Sequence, residues 1–164
     1  MAIRARAGRA EALAATPRAA VRLSTDYLNR YGEALMLLEM AAMDPEIAAD
    51  LSGWKAVGYR EHFEVSHLRC AADALAAYAD LDLQRRKGFD RLCMAMNRLI
   101  LSASALVRDV EPGPALDAVV AVASESLREL IARATQFINA NGDLDLGEIR
   151  SRDLQAEIDG LFAS

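Results

Sequence analysis

Both histidines of the chain fall in one polar run, Tyr59-Arg60-Glu61-His62-Phe63-Glu64-Val65-Ser66-His67. Glu64 and His67 are three residues apart, so on a helix they share a face and can ligate one metal ion. Glu-x-x-His is also the element that carboxylate-bridged di-iron bundles place on two of their helices. Glu39, set among Leu35, Met36 and Met43, offers one more carboxylate. Glu39, Glu64 and His67 are therefore the candidate metal ligands, and a small-ligand or metal-binding bundle is one reading of the chain. The ligand count then runs short. A di-iron site needs a second Glu-x-x-His and a glutamate from each remaining helix. Residues 83–110 hold no glutamate, and residues 114–140 hold Glu125 and Glu129 but no histidine. The bland alternative is a solvated face with Glu64 paired to Arg60 or His67, and no cofactor is implied.

A lone carboxylate in an apolar stripe must find a partner or raise its pKa. For Glu39 the expectation is an arginine of another helix, with a pocket or a dimer seam as the other options. Nucleophilic chemistry has no foothold. Ser102, Ser104, Ser124 and Ser126 all stand in long helical segments, and no Gly-x-Ser-x-Gly elbow occurs. Neither a phosphate-cradling glycine loop nor a dinucleotide fingerprint is present. Residues 139–148 superficially resemble a calcium loop but lack its leading aspartate and its turn glycine. No catalytic residue is assigned, and the chain reads as a non-enzyme.

The elements that would position these groups are all helical. The 164 residues fit one domain, 53% are apolar, and only 5% are aromatic. Nine glycines and four prolines are too few for a turn-rich all-β chain. Leu28, Tyr31, Leu35, Leu38 and Ala42 repeat at helical spacing, predicting a first long helix from Ser24 or Thr25 to Met43. Met36, Leu37 and Met40 widen its stripe, which predicts a central position. Asp44-Pro45 begins a short helix to about Leu51. A third segment, from about Lys55 to Ala79, carries Val57, Val65, Leu68, Ala72 and Leu75 on one side.

Two longer helices follow, joined at Glu111-Pro112-Gly113-Pro114. One runs from about Leu83 to Val110 on the seam Phe89, Leu92, Met96, Leu99, Ala103, Leu106 and Val110. Its partner runs from Pro114 to Ala140 on Leu116, Val120, Ala123, Leu127, Leu130, Ala134 and Phe137. So short a link makes them an antiparallel hairpin. Asn141-Gly142 ends the second of them with residues that accept positive φ. The expected fold is all-α: an up-down bundle of four main helices with a short accessory helix, a basic N-terminal leader and a C-terminal amphipathic helix. Its divisions are a leader over 1–23, helical or partly disordered, a bundle over 24–142, and an acidic linker with a tail helix over 143–164.

Cys70 and Cys93 lie in helical segments and read as free apolar thiols. No run approaches the roughly 18 apolar residues of a membrane span, and MAIRARAGRA is not a secretory signal. A cytoplasmic location is the expectation. The net charge is −5, yet the leader is basic, with five arginines against Glu11. The acidic body argues against nucleic acid as a partner.

The tail places Leu154, Ile158, Leu161 and Phe162 on one helical face, with Glu157 and Asp159 elsewhere. A short anionic amphipathic helix suits docking in a groove. The run Gln155-Ala-Glu-Ile158-Asp159-Gly-Leu161-Phe162 resembles the segments by which flagellar switch proteins and chemotaxis phosphatases dock a response regulator. The resemblance covers under a tenth of the chain and implies a partner class only. Those phosphatases orient water with a helical Gln and a nearby Asp. Asp80 and Gln84 have that spacing but stand at an expected helix start, so the activity is not carried over. The plainer placement of the tail is back on its own bundle or on a dimer mate. Together these readings lead to a non-enzymatic regulatory or adaptor protein that acts through protein–protein contacts as a homodimer. The docking of a response regulator through the C-terminal helix is the further alternative.

Overall fold

The structure, a computed structural model, describes residues 20–146. Every regular element among them is helical. A 3₁₀ turn, Thr25–Leu28, leads into α1, Asn29–Ala41. Then come α2, Pro45–Ser52, α3, Tyr59–Glu64, and α4, Ala71–Asp80. Two long helices complete the fold: α5, Leu83–Asp109, and α6, Pro114–Asn139. The chain has an all-α fold. None of these helices is long and apolar enough to cross a membrane.

The helix starts sit where short polar side chains can serve the orphan amides of a first turn. The Ser24 hydroxyl accepts from the Asp26 N–H, the Asp44 carboxylate from Glu46, and the Asp82 carboxylate from Arg85. Pro45 and Pro114 each stand in a first turn, where the missing N–H costs nothing. Residues 110–113 close the expected α5–α6 hairpin. All seven seam residues of α6 are buried, as are Phe89, Leu92, Met96, Leu99 and Ala103 of α5. A buried Leu or Phe contributes about 1.5–3 kcal/mol, so this seam is a main source of stability.

Two expectations are corrected. The third segment is not one helix, and so the bundle does not have four long helices. Residues 65–70 break it into α3 and α4. Val65 ends α3, and the Ser66 hydroxyl takes the Leu68 N–H, a local bond that competes with helix continuation. Cys70 is then held from outside, its thiol donating to the Asp26 carboxylate at 3.1 Å. The first helix packs against α2, α5 and α6, but its buried stripe is narrower than expected, because Met36, Met40 and Met43 are exposed.

The aromatic residues among the described ones gather in one cluster. Tyr27, Tyr31, Trp54, Tyr59, Phe63, Tyr78, Phe89 and Phe137 form one chain of ring contacts, with centroids 4.8–6.0 Å apart. His62 stands edge-on to Tyr27 and Phe63. The phenol groups are satisfied within this cluster. Tyr27 bonds Tyr31 and donates to the Val57 carbonyl, Tyr31 reaches Asn97, and Tyr78 donates to Asp90. The Tyr59 oxygen accepts from the Ser24 N–H. Burial pushes the Tyr59 phenol up to about 12, and it drives Tyr27, Tyr31 and Tyr78 upward as well.

The end of α6 is clasped to the start of the described chain. Asn141, at φ 51°, accepts from the Leu23 N–H and donates to the Val21 carbonyl. Gly142 follows at φ 78°, where an added Cβ would lie 2.2 Å from Leu81 Cδ2. Glycine takes this left-handed backbone without strain, whereas a side chain there would be strained and would displace Leu81.

Candidate functional site

Outside the core, α1 and α6 leave an open cleft of about 450 Å³ between them. Glu39 of α1, with Ala42 and Met43 of the turn after it, forms one wall, and the α6 wall carries Asp117, Ala121, Ser124 and Arg128. Spacing explains the arrangement. Asp117, Ala121, Ser124 and Arg128 succeed one another at three or four residues and so lie on one side of α6. The core seam runs along the adjacent side, and its Val120 joins the lining.

The charges around the cleft are joined. The Arg128 guanidinium donates to the Glu39 carboxylate across the two helices and lies 3.6 Å from Glu125. Glu39 thus has the interhelical arginine expected for a carboxylate in an apolar stripe. Its side chain is 39% exposed, and pairs with this much solvent contribute at most about 1 kcal/mol. With Asp117, the rim holds three carboxylates against one guanidinium. A cationic visitor is favoured over an anionic one.

The floor is apolar except at Ser124. That residue is 2% exposed, and its Oγ finds no hydrogen-bond partner among the described residues. An unpaired buried hydroxyl costs about 1–3 kcal/mol. Beside the cleft, Met36 and Met40 of α1 and Met43 of the turn after it, at spacings of four and three residues, are all exposed. Met43 is 81% exposed.

The other candidate ligands lie elsewhere. Glu64 is the last residue of α3 and pairs with Arg60 at 2.7 Å. His67 is exposed in the α3–α4 connection, so Glu64 and His67 do not share a helical face. Among the described residues, no group of three or more His, Cys, Asp or Glu is placed to hold a metal ion. Leu154, Ile158, Leu161 and Phe162 lie outside the described residues, as do residues 1–19 of the leader. Asp80 ends α4 and Gln84 sits in the first turn of α5, on two different helices.

Ser124, Arg128 and Asp117 were not visible as site residues in the sequence. The available signal was Arg128, four residues after Ser124 and three after Glu125 on one helix face. Neither histidine lies on α1 or α6, so Ser124 has no imidazole base from these walls. The cleft is suited to binding apolar and cationic groups. Comparison of the chain with protein-family models, with curated proteins and with solved structures returns no match.

Proposed function

We propose that this chain is a non-enzymatic helical protein that works through protein–protein contacts, and that it pairs with a second copy of itself across the α1–α6 face. The observation that carries the reading is the methionine stripe Met36, Met40 and Met43, exposed beside the cleft. Unbranched thioether side chains adapt to an incoming surface, and they are over-used where proteins bind proteins. The buried Ser124 hydroxyl supports the same reading, because a partner can supply the bond that the free chain lacks. Ala42 and Ala121 keep the cleft shallow enough for a helix to approach. In a two-fold arrangement Arg128 of each copy meets the Glu39–Glu125 rim of the other, which sets register.

Light scattering of the full chain tests this. The expected mass is that of a dimer, and Met40→Glu is expected to give a monomer. Met40 is exposed, so the helical circular dichroism of that variant should be unchanged. A monomer at every concentration, or a dimer that survives Met40→Glu, would overturn the proposal.

A further inference from the structure

The two ends of the α1–α6 cleft differ in what they leave unpaired. At one end the Arg128 guanidinium is already joined to Glu39 and Glu125. At the other stands Asp117, whose carboxylate has neither a hydrogen bond nor an ion pair among the described residues. Between these ends the Ser124 hydroxyl is buried and likewise unbonded. An acidic rim by itself says only that cations collect nearby. The hydroxyl says more, because a buried O–H without a partner awaits a group that can take its hydrogen bond.

Spacing gives the dimensions of what would fit. Asp117 and Ser124 are seven residues apart on one face of α6, about 10 Å along the helix at 1.5 Å per residue. Val120 and Ala121 lie between them, and Ala42 and Met43 stand on the opposite wall. The cleft therefore presents an anion, then an apolar strip, then a buried hydroxyl.

We infer that this cleft binds a linear aliphatic molecule with an ammonium at one end and a hydroxyl or carbonyl oxygen at the other. The ammonium pairs with Asp117, the methylene chain lies along Val120 and Ala121, and the oxygen bonds Ser124 Oγ. Met43, unbranched and exposed, can close against the chain. Arg128, one turn beyond Ser124, selects an oxygen at that end over a second ammonium. The cleft volume of about 450 Å³ lies in the range of small-molecule sites. Its walls belong to the face proposed for pairing, so ligand and second copy compete, but the inference does not require that pairing.

Amide NMR titration of the full chain with straight-chain aminohexanol, hexylamine and hexanol tests the inference. Saturable shifts are expected at residues 39–43 and 117–128. Aminohexanol is expected to bind about fivefold more tightly than hexylamine, which lacks the oxygen, or hexanol, which lacks the charge. Asp117→Asn should reduce aminohexanol to the level of hexanol, and Ser124→Ala should reduce it to that of hexylamine. Asp117 is exposed, and alanine suits a helix interior, so both variants should keep the wild-type helical circular dichroism. The inference is overturned if no saturable shifts arise at these residues, if the three probes bind alike, or if either variant leaves the advantage of aminohexanol intact. The ranking is read on one chain at one concentration and holds whether or not a second copy competes. A monomer by light scattering would therefore leave it standing, and its failure would leave the mass of a dimer unchanged.

Discussion

Replacing Ser124 by alanine is expected to make the protein more stable. The hydroxyl is buried without a partner among the described residues, and deleting it should recover about 1–2 kcal/mol of desolvation penalty. Alanine is also the better helix former by about 0.5 kcal/mol, and the site lies in the interior of α6. The combined gain is about 2 kcal/mol. For a chain of this length each kcal/mol raises Tm by roughly 2–4 °C, so a rise of roughly 4–8 °C is expected. Ser126→Ala is the control, because Ser126 lies on the same helix and is only half-buried. It should show the propensity gain alone. Thermal unfolding of the two variants beside the wild type, at a concentration that keeps all three monomeric, is the assay. If Ser124→Ala is no more stable than Ser126→Ala, the hydroxyl is satisfied in the free chain, and its support for a contact face falls.

Gly142→Ala should be strongly destabilising, by about 3 kcal/mol, from the left-handed backbone and the overlap with Leu81. Urea unfolding would show it as a lowered midpoint. Alkaline pH should also unfold the protein. All four tyrosines have folded pKa values raised by burial, so above about pH 10 the unfolded chain ionises first and stability falls as pH rises. Tyrosinate absorbance and helical circular dichroism should therefore change together. His62 acts at the other end of the scale. Burial, with Arg30 nearby, holds its pKa below the ordinary histidine value. As pH falls through about 6.5 the unfolded chain protonates first and stability drops. Urea midpoints from pH 8 to 5 should decline less in His62→Gln than in the wild type.

Legibility followed periodicity. The seams of α5 and α6 repeat at three and four residues without interruption, and the EPGP link leaves one way to join them. Their observed ends lie within a residue of the expected ones. The Lys55–Ala79 segment has a comparable apolar count, but periodicity does not register a hydroxyl that captures a nearby amide, as Ser66 does. Nor does it register a distant carboxylate holding Cys70. The methionines of α1 were misread for a related reason. A stripe of apolar residues reads the same whether it faces the core or a partner, and only burial separates the two. At the cleft, Glu39 was legible because an isolated carboxylate demands a cation. Ser124 was not, because a helical serine is ordinary until its surroundings show that nothing bonds it. The aromatic cluster was equally hidden, since its members come from five helices and the connections between them.

The most direct test of the contact face is peroxide oxidation of the native full-length chain, followed methionine by methionine by mass spectrometry at several protein concentrations. Met36, Met40 and Met43 are exposed on the single chain, so pairing across α1–α6 should slow their oxidation at high concentration and release it on dilution. Met94, exposed on α5 and outside the α1–α6 cleft, should react at a rate independent of concentration. If Met40 and Met43 oxidise equally fast at every concentration, the α1–α6 face is not where two copies meet.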